Sequence, residues 1–277
     1  MTARISKDTR LCMSLAARPG NIGTRFHNYL YEKLGLDFVY KAFTTTDLAG
    51  AIGGVRALGV RGCAISMPFK EAVIPLLDRL DASAERLQSV NTIVNDDGVL
   101  TGYNTDYLAV RQLLERHAVP QGLRVAVRGS GGMARAVLAA LVDAGFAEGV
   151  VIARNAVAGQ ALARLHGWHW QPEVAGVEAG LLVNVTPLGM LGADVGVLAF
   201  STGQIAASAW VFDVVALPDE TPLIVEARRQ SRPVITGAEV IALQAAAQFV
   251  LYTGVAPTEE QVAEASAYSR QADTLLI

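Results

Sequence analysis

The sequence predicts an α/β protein of two domains with a cleft between them, on three observations. Through the middle of the chain, apolar runs of strand length alternate with segments of helix length. One strand–helix junction, LRVAVRGSGGMARAVLAALVDAGF, carries a glycine-rich turn. The chain of 277 residues is 52% hydrophobic, enough for two cores.

Taken in order, LCMSL, DFVYKAF, GCAIS and NTIVN are expected strands, with helices between them. YLAVRQLLERHAVPQGL gives a helix and then a Pro-Gly break, so two structured regions meet near residues 106–122. Leu123 to Val127 reads as a short buried strand, Gly129 to Gly132 as a tight turn, and Met133 to Ala144 as a helix ending near Gly145. GVVIARN supplies the next strand and AGQALARLHG the next helix. LLVNVTP and WVFDVVA read as later strands, and LPDETPLIVEARRQSR as a turn and a helix. Strands with apolar cores, alternating with helices, indicate a parallel sheet covered on both faces. After Gly237 the pattern is helical to the end.

Composition excludes several classes. A formal charge of −3 gives no electrostatic case for a nucleic-acid or anionic-membrane partner. Cys12 and Cys63 are too few for a disulfide framework and fit a reducing cytoplasm. The start, MTARISKDTRLCMSL, has scattered charges and no apolar signal core. VITGAEVIALQAAAQFVLYTG is interrupted by Glu239, Gln244 and Gln248, which suits a buried helix rather than a span of roughly 20 apolar residues. His166 and His169 in HGWH lack accompanying cysteines or acids, so no metal site is expected.

Gly129-x-Gly131-x-x-Ala134 fits the dinucleotide fingerprint in a strand–turn–helix context, with Ser130, Gly132 and Met133 completing the turn. The first glycine permits the turn, the second admits a pyrophosphate to the backbone, and the small third residue lets helix and strand approach. The helix N-terminus offers free N–H groups to the phosphates. About 20 residues on, an NAD-binding chain usually places an acid on the ribose hydroxyls. Here the second strand ends Ile152-Ala153-Arg154-Asn155, and Arg154 suits a 2′-phosphate, so NADP is the expected cofactor. The alternative is that Arg154 is a solvated strand-end charge.

In order along the chain, PFK at Pro68–Lys70, SVNTIV at Ser89–Val94, GYNTD at Gly102–Asp106, GSGGMARA, ARN, NVTPLGM at Asn184–Met190, DVVALPDETPLIVEA, and Gly237 with Gln244 resemble segments of the shikimate dehydrogenase family. The matches run in register from about residue 12 to residue 254. The resemblance implies a substrate domain of residues 1–106 with 238–277, completed by the C-terminal helices, and a Rossmann-type NADP domain of residues 107–237. It implies hydride transfer between NADP(H) and shikimate, 3-dehydroshikimate or a related hydroxylated ring acid, in a monomer or homodimer. Lys70 and Asp106 would be the catalytic pair. Asn91, Gln244 and Ser66 would face substrate, and Asn184, Thr186 and Gly237 would line the cofactor. The chemistry agrees: oxidising a secondary alcohol needs a group to take the hydroxyl proton as hydride leaves, and a carboxylate beside an ammonium sets its protonation and orientation. Singly, each residue has an ordinary alternative: Lys70 at a helix start, Asp106 as an N-cap, Asn91 in a turn, Gln244 on a helix surface.

The sequence also departs from the family. Where two serines usually hold the substrate carboxylate, it has RPGNIGTRFHN, with Asn21 and Gly23 in the serine places and Thr24 in place of proline. Asn21, Thr24 or Arg25 would engage an anion there. Ala216 replaces a tyrosine, Ala64 an asparagine, Ser66 a threonine and Val240 a methionine. Tyr107 stands where glycine is common, and Ala158 where a second basic residue is usual. The pattern matches a divergent, shikimate dehydrogenase-like branch. Two alternatives follow: a quinate/shikimate dehydrogenase using NAD, or a ligand-binding homologue with weak catalysis.

Overall fold

A computed structural model describes residues 5–271, so the first four residues of the charged N-terminal stretch and the last six of the helical C-terminal region lie outside the described residues. The chain forms two compact units. One is the chain up to Thr105 together with the chain from Ala242 onward, and the other is Asp106–Ile241. No helix among the described residues is long and apolar enough to cross a membrane.

The first unit opens with Arg10–Leu15 (β1), Ile22–Lys33 (α1), Phe38–Phe43 (β2), Leu48–Ala57 (α2), Gly62–Ile65 (β3) and Phe69–Ala72 (α3). Arg79–Leu80 (β4), Ala82–Glu85 (α4), Thr92–Asp96 (β5) and Val99–Tyr103 (β6) follow, and Thr105–Arg116 (α5) leads out of it. The sheet order is β2-β1-β3-β5-β6-β4. β1 runs parallel to β2 and β3, while β5 runs antiparallel to β3 and β6. β6 escapes the sequence pattern, yet its cause is legible: Asp97 and Gly98 both have positive φ (50° and 89°), the backbone of a two-residue hairpin.

Alternation along the strands sorts the core. Met13, Leu15, Cys63, Ile65 and Ile93 face Ile52 and Val55 of α2. Their neighbours Cys12, Ala64 and Val94 pack on the other side with Phe26, Leu30 and Tyr31 of α1.

The second unit contains Val125–Arg128 (β7), Gly132–Asp143 (α6), Gly149–Ile152 (β8), Ala156–Leu165 (α7), His169–Gln171 (β9), Leu181–Asn184 (β10), Thr202–Ala207 (α8), Trp210–Asp213 (β11), Pro222–Arg229 (α9) and Val234–Ile235 (β12). Its six strands are all parallel, in the order β12-β11-β10-β7-β8-β9. This is the doubly wound arrangement of a Rossmann-type sheet, whose order reverses between β7 and β10. α6 meets it through Ala134, Ala136, Val137, Leu138 and further buried small or branched residues, so helix and sheet approach closely. HGWH straddles an element boundary: His166 follows α7 and His169 opens β9, an edge strand missed by periodicity because it has three residues.

Gly237–Thr253 (α10) returns the chain to the first unit, and Glu259–Ser269 (α11) closes it. Phe249 and Tyr252 of α10 and Ala265 of α11 join the α1 face of the first sheet. His27 is fully buried there, stacked on Tyr40 at 4.4 Å between ring centroids. Burial pushes its pKa down from 6.5 to about 3, with the Gln248 side chain opposing. As pH falls below 6.5, the unfolded chain therefore takes a proton at this ring that the folded chain does not. Stability from this residue is full above about pH 6.5 and falls as pH drops toward 3. A tenfold change in proton affinity corresponds to about 1.4 kcal/mol. Urea denaturation at pH 7 and pH 5 is expected to show a stability difference in the wild type that shrinks by about 1–2 kcal/mol in His27→Phe; an equal difference in both proteins contradicts this.

Candidate active site

The predicted substrate residues gather at one edge of the first sheet. β1 and β3 end there, β6 ends there, and β5 begins there, since Ala64 pairs with Thr92 and Thr92 with Tyr103. Backbone hydrogen bonds tie the segments beyond these strand ends together. Ser66 N–H donates to Leu15 O (2.9 Å), and Ala17 N–H to Met67 O (3.1 Å). The turn before Lys70 is thereby held to the segment leading into α1, and its Met67–Pro68 bond is cis. Val90 N–H donates to Lys70 O (2.8 Å), Ile65 N–H to Asn91 O (2.8 Å) and Asn91 N–H to Tyr103 O (3.0 Å). Lys70 is half-buried on the short α3, and Ser66 is exposed.

Asn91 is 3% exposed and defines the centre of this edge. Its Oδ1 accepts from Thr105 N–H (2.8 Å), Thr105 Oγ1 (3.1 Å) and Thr92 Oγ1 (2.8 Å). A backbone donor on Oδ1 fixes the amide orientation, so Nδ2 is the free end, buried and without a hydrogen-bond partner. An unmade bond from a buried amide costs about 1–3 kcal/mol, which makes Nδ2 a candidate donor. The same lock sets the start of α5: Thr105 is held by Asn91, and Asp106, the next residue, is 7% exposed in the helix's first turn.

Gln244 stands close to this cluster, 3.4 Å from Thr105 Oγ1. One helical turn later Gln248 donates to Thr92 Oγ1 (2.9 Å) and Asn91 O (3.3 Å). Sequence reasoning points to Gln244 and misses Thr92, Thr105 and Gln248. The i,i+4 amide pair on α10 is the available signal.

Asn21 is the N-cap of α1 without a side-chain cap bond, and Thr24 Oγ1, one turn in, is buried with no partner. α1 carries no acid in its first turn. A helix N-terminus with a free hydroxyl is a chemical environment for a carboxylate.

In the second unit, Gly129 follows β7 with φ 129°, a conformation that favours glycine. A Cβ there would meet Val185 Cγ2 at 2.7 Å and Thr186 Cγ2 at 3.2 Å, so the β7 and β10 turns touch at the strand-order reversal. Gly131 and Gly132 are exposed, and a Cβ on either would meet nothing within 4 Å. Gly131 caps α6 without a side-chain bond. Ser130 and Met133 are half-buried beside this opening, and Ala134 lies wholly under it. The result is an open backbone cradle at a helix N-terminus, which fits a dinucleotide pyrophosphate.

The β10 and β11 ends form a buried polar network. Asn184 Nδ2 donates to Asp213 Oδ1 (3.0 Å) and Leu188 O (3.1 Å), while its Oδ1 accepts from Thr186 N–H (3.1 Å) and Oγ1 (2.6 Å). With all four hydrogen-bonding sites engaged, Asn184 organises the turn and leaves Thr186 facing Gly129. Burial pushes the Asp213 carboxyl up to about 6, opposed by donors from Thr221 Oγ1 (2.7 Å), Val215 N–H (3.1 Å) and Asn184. Gly237 sits where a Cβ would strike Val215 O at 2.3 Å, a close approach of backbone to backbone. Arg154 is exposed beyond the end of β8.

Comparison with known proteins adds four findings. Residues 22–93 match the shikimate dehydrogenase substrate binding domain. The chain is 52% identical over 267 residues to the shikimate dehydrogenase-like protein of Haemophilus influenzae, covering 96% of this chain and 98% of that one. It is 39% identical over 255 residues to the NADP(+) shikimate dehydrogenase of Citrifermentans bemidjiense, covering 84% and 86%. The shikimate 5-dehydrogenase of Thermus thermophilus, solved in complex with NADP(H) and shikimate, superposes with a TM-score of 0.84 at 30% identity, covering 94% of this chain and 99% of that one.

Proposed function

Because the chain belongs to the shikimate dehydrogenase family, we propose that it is an NADP-dependent oxidoreductase that interconverts a ring alcohol and its ketone, with shikimate and 3-dehydroshikimate or a related hydroxylated ring acid as the pair. The division we assign is a substrate domain of residues 1–106 and 238–277 and a cofactor domain of residues 107–237. The observation that carries the reading is the buried, unpartnered Asn91 Nδ2, on a residue whose own Oδ1 accepts from Thr105 N–H and whose neighbour Val90 donates its N–H to Lys70 O.

NADP, held by the second unit, would supply the acceptor or donor of the hydride that leaves or returns to the carbinol carbon. Lys70 Nζ takes the hydroxyl proton in the oxidative direction and donates it to the developing alkoxide in the other, with the Asp106 carboxylate orienting the amine. Asn91 Nδ2 donates to a ring hydroxyl, and Gln244 and Ser66 border the ring. The substrate carboxylate is held at the α1 N-terminus, with Thr24 Oγ1 as donor and Asn21 beside it. Gly129–Ala134 cradle the pyrophosphate, Arg154 meets the 2′-phosphate, and Thr186 and Gly237 line the turns that face it. Ala216 offers no hydroxyl to a ring, which favours a substrate other than the usual one or slow turnover on it.

The reading is tested by steady-state kinetics on a panel of shikimate, quinate and their amino analogues with NADP and NAD. NADP reduction is expected with at least one ring acid. Asn91→Asp keeps the acceptor for Thr105 and removes the free donor, so kcat/KM for that acid should fall about tenfold or more with cofactor affinity unchanged. Cofactor binding with no turnover on any ring acid contradicts an enzymatic role.

A further inference from the structure

The Asp106–Ile241 unit holds an open cavity of about 770 Å³ that the cradle does not account for. Its lining is largely apolar or small, including Val174, Val177, Leu198 and Phe200, with Arg128 and Glu178 as its charged residues. The volume suits one half of a dinucleotide. Gln204 Nε2 pins its rim by donating to Val174 O (2.8 Å) and Val177 O (3.2 Å).

Arg128 is the last residue of β7, directly before Gly129, and pairs in register with Ile152. Arg154 lies two residues beyond Ile152, and extended pairing continues through Ala153 N–H to Gln171 O (3.1 Å). The two arginines therefore lie at the carboxyl ends of neighbouring strands, Arg128 closing β7 and Arg154 at the bend that follows β8. Arg128 commits Nη1 to Ala199 O, and its other N–H groups have no hydrogen-bond acceptor among the described residues. Arg154 makes no hydrogen bond or ion pair among them. Burial lowers the pKa of the Arg128 guanidinium, the Glu173 charge raises it, and the Arg154 charge lowers it again, so the three charges act on one another. Two exposed carboxylates, Glu173 and Glu178, stand near the two arginines, so what suits the site to an anion is the uncommitted edge of the Arg128 guanidinium rather than net charge.

We infer that Arg128 is a specificity-determining residue for the cofactor, completing with Arg154 a two-arginine site for the 2′-phosphate, and that the cavity beside it takes the adenosine. A planar guanidinium anchored through one nitrogen keeps a donor edge for phosphate oxygens. This rests on the proposed use of NADP and adds a residue inside the sheet that the fingerprint does not contain.

Calorimetric titration with 2′-phospho-AMP, AMP and NADP tests it in the absence of turnover. Arg128→Gln is expected to weaken 2′-phospho-AMP and NADP by about tenfold to a hundredfold and leave AMP unchanged. Arg128→Lys, which keeps the charge without the fork, should fall between. Glu173→Gln, at an exposed position, should tighten 2′-phospho-AMP about two- to threefold without affecting AMP. If wild type binds NADP but both Arg128 variants keep the full preference for 2′-phospho-AMP over AMP, or lose both ligands equally, the inference fails alone. If wild type binds neither NADP nor 2′-phospho-AMP, the proposed cofactor fails with it. Should Arg128→Gln not fold, the Lys and Glu173 variants decide, and unchanged affinities in both overturn the proposal.

Discussion

Lys70→Ala is expected to lower kcat by about 10²–10⁴-fold, with cofactor affinity and thermal stability close to wild type. The size follows from removing the only group assigned to move the hydroxyl proton at the reacting carbon. Stability should stay close because Val90 N–H binds Lys70 O whatever the side chain, and Phe69 beside it packs on the core. Asp106→Asn, which keeps size and hydrogen bonding but not charge, should produce a loss of similar order. Stopped-flow and steady-state rates, read beside NADP titrations, check both. A wild-type rate in both variants removes the pair from the chemistry, whereas equal losses of kcat and cofactor binding would assign Lys70 to structure.

Gly131→Ala should abolish useful cofactor binding, by about 1.5–3 kcal/mol or more, without changing the melting temperature by more than about a degree or two. Gly131 has φ −83° and ψ −171°, which alanine adopts freely, and its added methyl meets no protein atom within 4 Å. The methyl therefore fills only the space through which a pyrophosphate reaches the α6 amides. Gly129→Ala is the contrast: positive φ and a contact of 2.7 Å with Val185 should destabilise the unit by about 1–3 kcal/mol as well as weaken binding. Differential scanning fluorimetry with and without NADP separates the two. A Gly131→Ala protein that binds NADP normally means the cofactor does not use this turn.

Much of this is legible in the sequence because local rules suffice for it. The β7–turn–α6 junction is a fingerprint with mechanical content, and the structure moves its boundaries by only a residue or two: β7 runs Val125–Arg128 and α6 begins at Gly132. What is illegible depends on partners distant in sequence or on elements too short to show a period. β4, β9 and β12 have two or three residues each. β6 is hidden inside a motif, although Asp97-Gly98 is a hairpin signal. Asn184 reads as a cofactor contact, and only the network with Asp213 and Leu188 reveals that its amide is fully engaged. Conversely, nothing in the pair Asn-Thr predicts that Asn91 Nδ2 is left over after Thr92 and Thr105 have been served.

The Arg128 site changes how cofactor choice is read from such a chain. The residue about 20 positions after the fingerprint is the usual indicator. Here the residue before the first glycine faces the same edge, and a reader confined to the loop after β8 passes over it.

Hydride transfer under the control of Lys70 is tested most sharply by following the hydrogen itself. A ring acid that reduces NADP is prepared with deuterium at the carbinol carbon, and the cofactor formed is analysed by mass spectrometry. One deuterium is expected on the reduced nicotinamide, a label that disappears with turnover in Lys70→Ala while NADP still binds. Reduced cofactor carrying no deuterium, or label transfer undiminished in Lys70→Ala, contradicts the proposed chemistry.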